Sequence, residues 1–171
     1  MTEKKIVRKI QAGDAQLLDQ LFQSYYGQVY AYCYRHTGHR ETAQDLTQET
    51  FLRVVQSLDQ YREYGKLANY LYVVAGNLCR DYYRRKLWYP IGDHEVQSMV
   101  QETEGIEERL AVREALGALE GEVREAVILR FYQQLRYQDI ARILGITVST
   151  AKYRVKQGTW QLSALLKGDR E

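Results

Sequence analysis

Apolar side chains return every fourth residue from Leu17 through Leu21, Tyr25 and Val29 to Cys33. That spacing lines one face of a helix, and Gly38 supplies its stop. Thr42, followed three residues later by Asp45, reads as an N-cap. It predicts a second helix to about Leu58, with Ala43, Leu46, Thr50, Val54 and Leu58 turned inward. A third helix is predicted from about Leu67 to Lys86, burying Leu71, Val74, Leu78 and Tyr82. The lone proline, Pro90, forces the residue before it out of the helical region, so this helix should end between Leu87 and Tyr89.

The helical period resumes near residue 106. One helix is expected at about 106–119 around Val112, Leu116 and Leu119, and another at about 122–133 around Val123, Val127 and Phe131. A short helix follows from Tyr137 to Leu144, then a turn at Gly145 and a last helix from about Val148 to Leu166. No alternating apolar run is bounded by hairpin turns, so strands are not expected. The pattern predicts an all-α protein of two small helical domains, residues 1–87 and 107–171, joined by a flexible linker over 88–106.

Of the 171 residues, 45% are hydrophobic and 27% charged, the balance of a folded chain rather than a disordered one. A net charge of +2 says little, but its distribution says more. Asp93, Glu95, Glu102, Glu104, Glu107 and Glu108 make the linker acidic, with no Lys or Arg among them. On one side, Arg80, Arg84, Arg85 and Lys86 outweigh Asp81. On the other, Arg142, Lys152, Arg154, Lys156 and Lys167 face no acidic residue up to Gly168. Two basic patches on either side of an acidic tether suit contact with a polyanion at two places. The two cysteines, Cys33 and Cys79, lie inside helical patterns and suggest no disulfide framework, as in a reducing cytoplasm. The N-terminal segment is charged and lacks the apolar core of a secretory signal. No apolar run of membrane-spanning length exists, so no membrane insertion is expected.

The stretch from Tyr137 to Lys156 reads as a helix-turn-helix. Ala141 is small enough for two helices to approach closely. Gly145 ends the first helix with a residue that tolerates positive φ. Ile146 drops into the shared core, and Thr147 or Ser149 caps the second helix. Ile140, Leu144, Ala151 and Val155 then pack together. This leaves Ser149, Thr150, Lys152, Tyr153, Arg154 and Lys156 for solvent or a major groove, where Arg154 suits guanine and the lysines suit phosphates. The motif implies DNA binding without naming the system.

On the second helix, Asp45, Gln48, Glu49 and Leu52 share a non-core stripe through their i, i+3, i+4, i+7 spacing. Spacing alone describes a solvated face. The run Asp45-Leu46-Thr47-Gln48-Glu49-Thr50-Phe51-Leu52, however, resembles the D-L-x-Q-E-x-F-L signature of bacterial RNA polymerase sigma factors of the extracytoplasmic-function (ECF) group. Thr37-Gly38, Tyr70-Leu71-Tyr72, Asn77-Leu78 and Asp81-Tyr82-Tyr83-Arg84-Arg85 are similar to the rest of that family's region 2. Leu129-Arg130, Tyr137-Gln138-Asp139-Ile140-Ala141, Leu144-Gly145-Ile146 and Thr150-Ala151-Lys152-Tyr153-Arg154 are similar to its region 4. The resemblance covers most of residues 17–87 and 109–166. Tyr70 stands where the family usually has Trp, Leu119-Glu120-Gly121 replaces the usual Leu-Pro, and Val148-Ser149 replaces an acidic residue and a glycine.

The resemblance implies a protein that binds core RNA polymerase and directs promoter-specific initiation without catalysis or a cofactor. Asp45, Gln48, Glu49 and Leu52 would dock the polymerase β′ clamp helices, and the β flap would be a second contact. Region 4 would read the −35 element as duplex through Ser149, Thr150, Lys152, Tyr153, Arg154 and Lys156. Region 2 would take the −10 element as a melted strand, a task for aromatic faces and a basic track. Tyr61, Tyr64, Tyr70, Asn77, Arg80, Arg84, Arg85 and Lys86 are the candidates, with Asn77 ahead of the tyrosines. A partner anti-sigma factor is also implied. Two alternatives stand beside this reading: a free-standing operator-binding regulator, which has no need of the 45–52 motif, and a DNA-processing enzyme, for which no metal-binding carboxylate cluster is visible. Cys33, His36 and His39 are spaced by three but lack a fourth ligand, so no metal is expected.

Overall fold

The computed structural model describes residues 2–61, 66–88 and 106–168, with the side chains of 86–88 and 106–110 left aside. The linker residues between 88 and 106, Pro90 among them, and Tyr64 lie outside the described residues, as does the side chain of Lys86. Among the described residues the chain is helical throughout and contains no strand. The helices are α1 Glu3–Gln11, α2 Ala15–Thr37, α3 Arg40–Gln56, α4 Leu67–Trp88, α5 Ile106–Ala118, α6 Gly121–Val127, α7 Tyr137–Leu144 and α8 Val148–Gly168.

The period-four stripe of α2 faces the core, with Val29 and Cys33 fully buried. Asp14 caps this helix, its carboxylate accepting from Leu17 N at 3.0 Å. The opening of α3 departs from the sequence expectation. It begins at Arg40 after His39, whose side chain makes no cap bond, and Thr42 already lies inside the helix. The buried face of α3 is also wider than predicted, because Thr47 and Phe51 join Ala43, Thr50 and Val54. Thr47 and Thr50 bury their hydroxyls by donating to the carbonyls of Ala43 and Leu46, each at 2.6 Å. A short 3-10 turn, Leu58–Gln60, follows. The charged N-terminal segment, which carried no expectation of structure, forms α1 and buries Val7 and Ile10.

In the second half, α6 widens into a π turn over Ile128–Tyr132, with Gln133 N bonded to Ile128 O at 3.1 Å. The wider turn changes the direction in which its own side chains point. Phe131, expected inward, is therefore 54% exposed, and Ile128 and Leu129 fill the core instead. At the helix-turn-helix, Gly145 takes φ 65°, and Thr147 Oγ1 accepts from Thr150 N at 3.1 Å to cap α8.

The two halves do not keep separate cores. One apolar cluster runs from Val29, Tyr32, Val54, Leu71 and Ala75 of the first half to Ile128, Leu129, Ile140 and Ala151 of the second. A smaller cluster of Leu116, Leu119, Val123 and Val127 lies under α8. Small units bury too little surface to be stable alone, and a shared core is one solution.

Gly158 lets α8 cross α6 closely, since a Cβ there would overlap Cγ2 of Val127 and Cγ1 of Val123. Gly158→Ala gains helix propensity but overpacks the crossing, for an expected net loss of about 1–2 kcal/mol. The chemical-denaturation midpoint of the variant checks this; an unchanged or raised midpoint refutes the close crossing.

Candidate polymerase and nucleic-acid interfaces

On α3 the predicted stripe is accessible. Asp45 and Gln48 are exposed, and Leu52 is 52% exposed, high for a leucine. Glu49 is half-buried and accepts from Arg53 Nε at 2.8 Å. Val55, one turn beyond Leu52, is exposed as well and extends the apolar end of the stripe. Sequence reasoning had missed it. A face of carboxylate, amide and bare aliphatic groups on a rigid helix suits a basic and partly apolar partner.

The aromatic candidates at the start of α4 form a group. Tyr61 and Tyr70 stand with ring centroids 5.2 Å apart, and the Tyr70 hydroxyl lies 2.5 Å from Ser57 Oγ. Both rings are half-buried, which fixes them without hiding their faces completely. Farther along α4, Asn77, Arg80, Arg84 and Arg85 are exposed on the outer side. Asn77 Oδ1 accepts from Arg80 Nη2, so these two side chains form one unit. Arg84 is held only loosely by Asp81, at 3.9 Å.

On α8 the candidates divide. Ser149, Lys152, Tyr153 and Lys156 are exposed and Thr150 is half-buried beside its cap. Lys152 Nζ also lies 5.8 Å from the Tyr137 ring centre. Arg154, expected on the open face, is only 20% exposed and pairs with Glu122 at 3.1 Å. On α6, Glu125 lies three residues beyond Glu122, and Arg80 Nη1 donates to it at 2.6 Å. Two glutamates on one turn of α6 thus hold one candidate arginine from each half. Burial raises the Glu125 carboxyl pKa above its ordinary value, and the Arg80 charge opposes that shift.

Further polar contacts join the halves, and none was expected from sequence. Asn69 Nδ2 donates to Asp139 Oδ1 at 3.0 Å, both residues buried. The Tyr72 hydroxyl donates to Gln133 Oε1 at 2.9 Å, and Arg113 Nη2 donates to Gly38 O at 2.7 Å. The Arg35 guanidinium sits 4.3 Å over the Tyr132 ring. His36, weighed at first as a ligand, is instead a core residue with its ring 4.5 Å from that of Tyr32. Among the described residues, no group of three or more His, Cys, Asp or Glu lies close enough to hold a metal ion. None of the described helices is long and apolar enough to cross a membrane.

A helix-turn-helix beside a second helical unit with an open acidic and aliphatic stripe defines a DNA-binding protein of transcription. Residues 21–89 match the Sigma-70 region 2 family, and residues 109–162 match Sigma-70, region 4. The ECF RNA polymerase sigma factor SigM of Mycobacterium tuberculosis is 30% identical, over 91% of this chain and 80% of its own length. RNA polymerase sigma factor YlaC of Bacillus subtilis is 28% identical, over 90% of this chain and 94% of its own. The chain belongs to the ECF sigma factors of the sigma-70 family, the initiation factors that direct RNA polymerase to promoters. A similar fold occurs in CnrH, solved in complex with the cytosolic domain of CnrY, with a TM-score of 0.77 and 23% identity over 98% of both chains.

His36 generates a pH dependence. Burial first, then the charges of Arg124 and Arg80, push its pKa down from 6.5 to about 3. The unfolded chain takes up a proton below 6.5 that the folded chain refuses until about 3. Its contribution is therefore complete above the unfolded value and declines as pH falls through that window. Glu125 has the opposite sign, its folded carboxyl holding a proton to higher pH than the unfolded one. Comparison with His36→Gln isolates the histidine: between about pH 7.5 and about pH 5.5 the parent should lose about 1 kcal/mol more than the variant. Urea midpoints measure this, and equal slopes would assign the acid sensitivity elsewhere.

Proposed function

We propose that the chain divides its work at the linker. Residues 1–87 bind core polymerase and the −10 element, residues 107–171 bind the −35 element, and residues 88–106 tether them. The observation that carries the reading is the open stripe of Asp45, Gln48 and Leu52 on a chain that also holds a helix-turn-helix. A free-standing DNA-binding regulator has no use for such a stripe. The stripe docks the polymerase clamp helices in β′, with Glu49 orienting its neighbour Arg53 and Leu52 and Val55 burying aliphatic surface. The β flap is the second contact with the enzyme.

At the −10 element, Tyr61 and Tyr70 offer ring faces for unstacked bases, and Tyr64, between them in sequence, is a further candidate. Asn77 hydrogen-bonds one base while Arg80, Arg84, Arg85 and Lys86 follow the phosphates. At the −35 element, α8 enters the major groove. Ser149, Thr150, Tyr153 and Arg154 meet base edges, and Lys152 and Lys156 meet phosphates. The protein itself carries out no catalysis and needs no cofactor, since bond formation belongs to the polymerase. It works in the cytoplasm, where polymerase and promoters are. The fold neighbour RpoE of Bartonella quintana, a sigma factor solved in complex with the anti-sigma factor NepR, supports an anti-sigma protein as regulator here too.

Run-off transcription with purified core polymerase, with and without the protein, tests the whole reading. Promoter-specific starts are expected only with the protein; operator binding without new starts would favour a free-standing regulator. Asp45→Arg combined with Glu49→Arg should abolish co-migration with core polymerase while the melting temperature stays near that of the parent. Retained co-migration would move the clamp contact off α3. Arg154→Ala should weaken promoter-duplex binding by about 1–3 kcal/mol and relax preference at one base pair. An equal loss on every sequence would reduce Arg154 to a phosphate contact.

A further inference from the structure

Where the two halves meet there is a cleft of about 650 Å³, within the range of about 300–1,000 Å³ common for small-ligand sites. Arg80 and Arg84 of α4, Arg124 of α6 and Arg154 of α8 line it, and among the described residues the only carboxylates in its lining are Glu122 and Glu125. Among the described residues, four guanidinium groups against two carboxylates leave a surplus of positive charge inside a concave, partly desolvated surface, where electrostatic attraction is strongest. Not all of this charge is free. Arg124 spends its donors on the carbonyls of Leu116, Gly117 and Leu119, and Arg80 on Glu125 and Asn77. Arg84 is 77% exposed and has only the distant Asp81, and Arg154 has one carboxylate that is itself 71% exposed. His36 also lines the cleft, and its buried Nε2 has no hydrogen-bond partner among the described residues. A buried polar atom without a partner costs free energy, which a ligand acceptor recovers. The other wall is apolar, made by Tyr83, Leu144 and Ile146.

We propose that this cleft is a binding site for a small polyphosphate anion, held by Arg84 and Arg154 from opposite halves with His36 Nε2 as a further donor. Arginine suits the task because its planar fork can donate twice to one phosphate. Two or three linked phosphates carry more charge and more acceptor oxygens for the arginines than a single phosphate does. The ligand is either a free inorganic polyphosphate or a nucleoside polyphosphate whose base rests on the Tyr83 wall. Because it bridges α4 and α8, it holds the two halves in the arrangement seen here. Where it meets Arg84 and Arg154 it competes with promoter DNA, a consequence that rests on the function proposed above.

Titration calorimetry of the full chain with inorganic tripolyphosphate, and separately with ATP, at constant ionic strength, tests the site without polymerase or DNA. One-to-one binding is expected for at least one of the two. Arg84→Ala and Arg154→Ala should each weaken it about tenfold. Lys5→Ala combined with Lys9→Ala, on exposed positions of α1, should leave it unchanged. Tighter binding of ATP assigns the apolar wall to the base, and equal binding assigns the site to the phosphate chain alone. The proposal is overturned if neither anion saturates below the millimolar range, if several bind per chain, or if the α1 variant loses as much as Arg84→Ala. Promoter-duplex binding with and without tripolyphosphate is read separately. Saturable binding that leaves DNA affinity untouched keeps the site and removes only its competition with the promoter, whereas loss of promoter recognition altogether would strike the earlier reading and not this one.

Discussion

A hydrogen bond between two buried side chains sets the relation of the two halves. Asn69 Nδ2 reaches Asp139 Oδ1 at 3.0 Å beside the shared apolar cluster. Apolar contact alone is tolerant of small slips, because burial is non-directional. A carboxylate withdrawn from water is not tolerant, since a shift that breaks its partner leaves a costly charge behind. The Asn69–Asp139 pair therefore selects one docking of α7 against α4. The neighbouring contacts, Tyr72 to Gln133 and Arg80 to Glu125, fall into place around it. Most of the pair's value is in uniqueness; the closing force comes from Ile128, Leu129, Ile140 and the side chains they cover.

That docking treats the candidate surfaces unequally. The stripe on α3 stays open, with Asp45, Gln48 and Leu52 all accessible. The arginines are engaged: Arg80 by Glu125, and Arg154 by Glu122. On the proposed reading, the closed chain can meet the enzyme first and the DNA only after α6 gives up its hold. On that reading Glu125 stands where a phosphate would meet Arg80, and Glu122 where a base edge would meet Arg154. Being intramolecular, they act at high effective concentration and need little intrinsic affinity.

What was legible in the sequence is what local spacing encodes. The stripe from Leu17 to Cys33, the turn at Gly145 and the cap by Thr147 all depend on residues within one or two turns of each other, and all three appear. The exposed stripe on α3 was legible for the same reason. Phe131 went wrong because a π turn adds a residue that no helical period anticipates. Thr42 went wrong because capping chemistry was present two residues inside the true start of α3. The seam was illegible for a deeper reason. Asn69 and Asp139 are 70 residues apart, and nothing in either segment marks it as a partner of the other. Arg154 looked exposed because its helix position is outward only if α6 is elsewhere.

Closure is therefore a balance between two opposed effects. The apolar seam and its buried pair draw the halves together. The same motion gathers Arg80, Arg84, Arg124 and Arg154 around one cleft, and like charges brought close repel. Glu122 and Glu125 answer part of that repulsion, but burial already makes the Glu125 charge harder to hold. On the proposed reading, an anion, a partner protein or a promoter decides between this arrangement and one with the halves apart. A ligand shifts such an equilibrium only by its differential affinity for the two states. On that reading the differential is built in: the arrangement seen here gathers the arginines in one cleft for a small anion, whereas parted halves would present them to DNA on two separate surfaces.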